Sequence, residues 1–410
     1  MIGKVPLDEE GFVVSFSSEQ TEEYLAFFQR WGFIVVSDAL TQEQCHETLE
    51  EMWSDIERPE HTLDLTEWEG ERPDIATLKS YVLKKINIPN HFFHFSFFIF
   101  LWFVEKRYFL DLLEKGVTSS QQQQAQQQKN QEEPYVLRWH RTGESTVRLH
   151  ISRHHPITWA TQLWPGIPHL GIIQSHGWAN GAVAWRNRQL EKLHGVFSAL
   201  AGTPRLLVTA DRYGFMRPTR GEGCHESWAT TARWLHWDMN PWDGDWSLYG
   251  FDAPTKELPC VRLQGLLNVT EAREEDGGFY TVPGCSHHTL QWASHRPHLR
   301  QQYTNRNFVP VPREDTALYP RVQQIPARAG SLIVWNSLQA HSNHPNSSSR
   351  PRAVQYLTMV DADVGMTRQL PFEQVLPPAF QPTPLGRKLL SLDPWTPPPD
   401  PSVFSSCDII

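Results

Sequence analysis

A chain of 410 residues with 40% hydrophobic residues, 17 Trp and 21 Phe can bury a large aromatic-rich core. Its net charge of -9 argues against a general nucleic-acid binder, because neutralising phosphates takes clustered Lys and Arg. Five cysteines, at 45, 224, 260, 285 and 407, form no CxxC, which excludes a disulfide framework or thiolate zinc site as the leading reading and suits a reducing compartment.

Residues 18–30 have helical spacing, with Gly32 placed as a stop. Phe33–Val36 reads as a buried strand. Thr41-Gln-Glu-Gln44 is a capping box that opens a helix running to about Ile56. The apolar run 92–104 is too short to span a membrane, which takes about 20 residues. The Gln-rich run behind it marks about 83–133 as a low-complexity insertion. Asn187–Ala201 is an amphipathic helix ended by Gly202. Short strand-like runs follow at 205–209, 234–237, 261–269, 278–282, 331–335 and 353–360, separated by Gly, Pro and Asp clusters, as in a sandwich or barrel. The expected organisation is one domain over 1–375, with a β core at about 205–360, and a Pro-rich extended tail over 376–410. The start of the chain has no apolar signal-peptide core and its end is no peroxisomal tripeptide, so the expected location is the cytoplasm, with no membrane span.

The chemistry begins at His236-Trp237-Asp238. Residues two apart on a strand face the same way, so this pair can grip one metal ion. Imidazole plus carboxylate suits Fe(II), and a further His would complete a facial triad with open positions. In a chain with 19 His, about one such tripeptide arises by chance, so the tripeptide alone decides little. The order of the downstream elements decides more. Glu275 to His287 holds a Gly277-Gly278 turn, a strand and a Pro283-Gly284 turn. Ser331–Trp335 is a buried strand leading to His341, read as its end. Arg352 then opens the next strand, where a planar guanidinium suits a carboxylate.

Together these residues resemble the phytanoyl-CoA dioxygenase-like family of Fe(II)/2-oxoglutarate-dependent oxygenases. The matching features are His236-x-Asp238, the segment Asp276-Gly-Gly to Ser286-His287, Gly330-Ser-Leu, and His341 followed by Asn346-x4-Pro351-Arg352. The likeness runs over about 205–360 and more loosely over 11–60. It implies a mainly β, double-stranded β-helix (jelly roll) with flanking helices. It also implies His236, Asp238 and His341 as catalytic iron ligands and Arg352 as the clamp for 2-oxoglutarate, with O2 as the other co-substrate. An Asp at 238, where halogenating relatives carry Gly or Ala, points to hydroxylation of a small molecule with release of succinate and CO2. The alternative is a jelly-roll binding protein without turnover. Cys285 adds a residue to the family's usual Pro-Gly-Ser-His turn, leaving open whether His287 or His288 faces the cavity.

Trp237, Asn240, Trp242, Gln264 and His287 are candidate cavity residues, and Trp228, Arg233 and Gln264 candidate contacts of the 2-oxo acid. Asp211-Arg212 reads as a structural ion pair, His150-x3-His154-His155 as exposed rather than a second metal site, and His344 as a non-ligand.

Overall fold

A computed structural model describes residues 3–57, 181–242, 263–304, 308–363 and 376–395, with shorter stretches between 63 and 173. The expected insertion at 83–133 lies outside the described residues.

Helix α1 (Thr21–Trp31) turns Tyr24, Phe28 and Trp31 inward, and ends where Gly32 takes φ 75°. Strand β1 (Phe33–Val36) follows directly. Helix α2 (Gln42–Ile56) opens on a complete capping box from Thr41 and Gln44. A small sheet comprises β2 (Leu63–Asp64), β3 (Trp68–Glu69), β4 (Tyr135–Trp139) and β5 (Glu144–Leu149). Then come β6 (Ile172–Ile173), α3 (Ala182–Arg188) and α4 (Glu191–Ala201). The single helix expected over 187–201 is thus two helices, separated at Gln189 and Leu190. Gly202 caps the second at φ 70°.

Strands β7 (Leu206–Val208), β8 (Tyr213–Met216), β9 (His236–Trp237), β10 (Leu263–Asn268) and β11 (Gly278–Thr281) precede two short helices, α5 (Thr289–Ser294) and α6 (Pro297–Gln302). The chain continues through β12 (Val309–Pro310), β13 (Gln323–Gln324), β14 (Leu332–Asn336), β15 (His341–His344) and β16 (Arg352–Asp361). The larger sheet runs β1-β14-β10-β16-β8-β6, with β7 also on β16; the smaller runs β12-β9-β15-β11-β13. Every pairing in both is antiparallel. This is a jelly roll with helices outside, the expected fold class.

Alternation of side chains sorts the larger sheet. Ile34, Val36, Leu263, Leu267, Leu332 and Val334 pack outward under Tyr24, Phe28, Trp185 and Phe197 of the helices. Phe33, Val35, Leu266, Ile333 and Trp335 pack inward against Phe279 of the smaller sheet. With both faces covered, these strands read as continuous apolar runs. The outer side of the smaller sheet has its own core, of Leu235, Trp237, Tyr280, Val282 and Trp292.

Two expectations change. His341 does not end the strand before it. Leu332–Asn336 stops, a buried turn at 337–340 crosses over, and His341 begins β15 in the opposite sheet. Strands β14 and β16 both pair with β10 and not with each other. The tail is not extended throughout: helix α7 (Pro384–Leu389) is capped by Thr383 and buries Leu389 and Leu390 in the outer core, and Trp395 donates to the Leu206 carbonyl at 3.0 Å. Helically spaced Leu385, Leu389 and Leu392 outweigh the flanking prolines. Residues 396–410 lie outside the described residues. No helix among the described residues is long and apolar enough to cross a membrane. Cys45, Cys224 and Cys285 are free thiols.

Candidate metal centre

His236 and His341 are register partners across β9 and β15. Leu235 and Trp237 face the outer core, so His236 between them faces the interior. Asp238, two residues on, turns to the same side. The turn that delivers His341 is held by Gln339, whose amide donates to the Val282 carbonyl at 2.6 Å and accepts from the Ser286 N–H at 3.1 Å. A Cβ on Gly32 would lie 2.3 Å from Gln339 Oε1, so glycine there serves both the helix stop and the turn that seats His341.

Each histidine has its Nδ1 against a backbone carbonyl, His236 on Trp234 at 3.2 Å and His341 on Gln339 at 2.9 Å. A carbonyl only accepts, so Nδ1 carries the proton and Nε2 keeps its lone pair for the site. Nε2 of His236 lies 3.7 Å from Asp238 Oδ1, and Nε2 of His341 lies 3.5 Å from Oδ2. Two ligand atoms about 2.1 Å from one ion lie at most about 4.2 Å apart, so both spacings suit a shared ion. Among the described residues, this is the one group of three His, Cys, Asp or Glu side chains able to hold a metal.

The electrostatics favour ligation. Burial, with the neighbouring His341 adding to it, lowers the His236 pKa to about 4, which keeps the ring neutral. Burial works against ionising Asp238, but the polar surroundings supplied by His341, His236 and the donating Gln264 amide outweigh it and hold the carboxyl well below its usual range. Aromatic rings line the flank. Trp234 stacks on His236 at 4.8 Å between centroids and Phe308 covers it at 4.6 Å, while Trp335 lies 5.0 Å from His341.

Arg352 is 1% exposed, on the inward face of β16. Its Nη1 donates to Asn343 Oδ1 at 3.3 Å, while Nε and Nη2 are buried with no hydrogen-bond partner among the described residues. Asn343 in turn donates to the Tyr356 hydroxyl at 2.8 Å. Gly278 makes room for the guanidinium, since a Cβ there would lie 3.2 Å from Arg352 Nε. Two orphaned buried donors are what an anionic ligand would satisfy.

Of the expected cavity residues, Gln264 alone touches the triad, donating from Nε2 to Asp238 Oδ2 at 2.7 Å. Trp237 packs in the outer core and donates to the Leu338 carbonyl, since the residue between two inward ligands must point outward. Asn240 donates to the Tyr303 carbonyl at 2.8 Å, and Trp242 stacks on Tyr303 and meets Trp292 at a tilt. His287 is exposed and bonded to the Gln29 carbonyl, and His288 is exposed as well; the extra turn residue, Cys285, is buried instead. Trp228 sits in a cluster with Trp159 and Arg217, and Arg233 lies on Tyr319. Asp211 and Arg212 pair with each other at 3.3 Å. His154 is exposed; His150 and His155 lie outside the described residues. Asn343 and Tyr356 are site residues that strand alternation could have found, being His341+2 and Arg352+4 on their strands. Phe308 carries no sequence signal.

The family model for phytanoyl-CoA dioxygenase (PhyH) matches residues 235–354, a span that includes His236, Asp238, His341 and Arg352. That span resembles a phytanoyl-CoA dioxygenase family domain. A curated protein of Dictyostelium discoideum, described as "Putative phytanoyl-CoA dioxygenase", is 30% identical over 192 residues, which is 42% of this chain and 52% of that protein. The chain thus spans about half the length of the curated relative it matches. Among solved structures, the epimerase SnoN with Fe3+, alpha ketoglutarate and nogalamycin RO is 12% identical at a TM-score of 0.39, covering 83% of this chain and 84% of its own. HygX of Streptomyces hygroscopicus, with nickel and 2-oxoglutarate bound, is 10% identical at 0.38, covering 83% and 87%. At these scores the likeness is loose, and the jelly roll of the family domain is read from its own strand order.

Proposed function

We propose that this chain is an Fe(II)- and 2-oxoglutarate-dependent dioxygenase that hydroxylates a small molecule. His236, Asp238 and His341 would hold the iron, and Arg352 the distal carboxylate of 2-oxoglutarate. The observation that carries this reading is a convergence. Three ligand atoms, from the paired strands β9 and β15 and the residue just after β9, converge on one point, and the inward face of β16 holds a buried guanidinium with two donors unused among the described residues. One oxygenase domain, entered through α1 and β1 and interrupted at about 83–133, is the organisation we propose; β1 pairing with β14 supports it.

When bound, iron and 2-oxoglutarate supply the oxidation: O2 gives one oxygen atom to succinate and one to a substrate C–H bond, with loss of CO2. The chain's own residues prepare the site for this. The carbonyls of Trp234 and Gln339 hold both rings in the ligating tautomer. Asp238 stays ionised as the third ligand, and fills the position that a halide would need. Trp234, Trp335 and Phe279 wall the histidines with apolar surface, which limits water at the reacting face. The Asn343–Tyr356 pair turns Arg352 toward the interior.

The test is anaerobic addition of Fe(II) and 2-oxoglutarate, followed by succinate release across a metabolite library in air. A weak visible charge-transfer band that His341→Ala removes, and succinate release that depends on one compound, are expected. The proposal fails if wild type gives no band and the His341→Ala variant matches it in both measurements.

A further inference from the structure

Asp238 is the least enclosed of the three candidate ligands. Its side chain is 35% exposed, against 7% and 8% for His236 and His341. It also lies just past the end of a two-residue strand, so the local backbone holds it weakly. Neither histidine has this problem, because each ring is pinned through Nδ1 to a carbonyl. A carboxylate left to rotate would lose ligating geometry before an ion arrived.

Gln264 supplies the missing restraint. It sits second in β10, which is paired on both sides, opposite Trp335 of β14 and Thr358 of β16. That is among the most constrained backbone in the larger sheet. Its side chain crosses the interior to the smaller sheet's ligand, donating from Nε2 to Asp238 Oδ2 at 2.7 Å, and the residue is 8% exposed. Only the amide nitrogen can face a carboxylate, which accepts and does not donate. That choice leaves Gln264 Oε1 buried without a partner among the described residues. A residue placed only to stabilise the fold would satisfy both ends.

We propose that Gln264 is a positioning residue for the metal carboxylate, tying Asp238 to the larger sheet in its ligating orientation. This rests on the iron-site reading. Removing such an outer hydrogen bond typically weakens metal binding about 10–100-fold.

The test uses the full chain and Co(II) as the probe, read by competition titration and by ligand-field absorption. Gln264→Met keeps the length and loses the donor. We expect Co(II) to bind about 10–100-fold more weakly, with an altered absorption band, while the metal-free unfolding midpoint stays near that of wild type. A purely structural role would instead lower the metal-free midpoint and leave the Co(II) spectrum of the folded protein unchanged, which overturns the proposal. So does Co(II) binding within about twofold of wild type, a change too small for a restraint of this kind. Should Gln264→Met not fold, Gln264→Leu is read by the same criteria. Asp238→Ala separates the two levels. If wild type binds no Co(II), or Asp238→Ala binds as well as wild type, the metal reading falls and this inference with it. If Asp238→Ala loses Co(II) while Gln264→Met does not, only the role of Gln264 falls.

Discussion

Arg352→Met should weaken 2-oxoglutarate binding and strengthen the ligand-free fold at once. The guanidinium is 1% exposed and burial lowers its pKa, opposed in part by Tyr356 and then Asp276; it donates to Asn343 Oδ1 at 3.3 Å. An under-compensated buried charge costs several kcal/mol, and replacing such groups by apolar residues of similar volume often stabilises by about 1–4 kcal/mol. With ligand present the balance reverses. Nε and Nη2 are both unused, and two charge-assisted hydrogen bonds at about 1.5–3 kcal/mol each set the expected loss at about 3–6 kcal/mol. That corresponds to binding about 100-fold weaker or more. The assays are urea unfolding without ligand, and anaerobic titration of 2-oxoglutarate into the Fe(II)-loaded protein. A structural Arg352 would give the opposite pattern: a less stable variant that still binds 2-oxoglutarate normally. That result would refute the reasoning.

Gly278→Ala places a side chain at φ 133° with its Cβ 3.2 Å from Arg352 Nε; we expect a loss of about 1–3 kcal/mol in urea unfolding and weaker 2-oxoglutarate binding, with Co(II) affinity retained. Leu389→Ala should cost about 2–5 kcal/mol by the same unfolding assay, because Leu389 is fully buried in the outer core; no change would mean that α7 does not dock. Burial pushes the Cys285 thiol up to about 12 and Cys45 up to about 11, from an ordinary 9.0. The neutral thiol is the folded form, so its contribution is complete below about pH 9 and is lost as pH rises toward 11–12. Cys285→Ala should therefore flatten the alkaline fall in stability, and iodoacetamide at pH 8 should label Cys45 and Cys285 only after denaturation.

The places where structure departs from sequence expectation each have a local cause. Trp237, Asn240 and Trp242 read as cavity residues because they lie beside the candidate ligands along the chain. On a strand, the immediate neighbour of an inward residue faces outward, and Trp237 sits in the outer core. The tail reads as extended from its prolines, although the leucines before them have helical spacing and bury two side chains. His341 reads as a strand end because it follows the apolar run Leu332–Trp335 by only a few residues. The crossing turn, Ser337-Leu-Gln-Ala340, is buried and carries no Gly or Pro, so the strongest turn signals are missing from it.

By itself the sequence determined what depends on neighbouring residues. It set the helix stop at Gly32, the capping box at Thr41, the inward pairing of His236 with Asp238, and the Arg352 strand start, because caps and side-chain alternation follow from local backbone geometry. Only the tertiary structure decided which strands meet. It made His236 and His341 register partners, brought Gln264 across from the other sheet to Asp238, and enclosed Arg352 with two donors unused. Those relations join residues far apart in the chain, and they arise from how the two sheets close over a shared core, which no local pattern encodes.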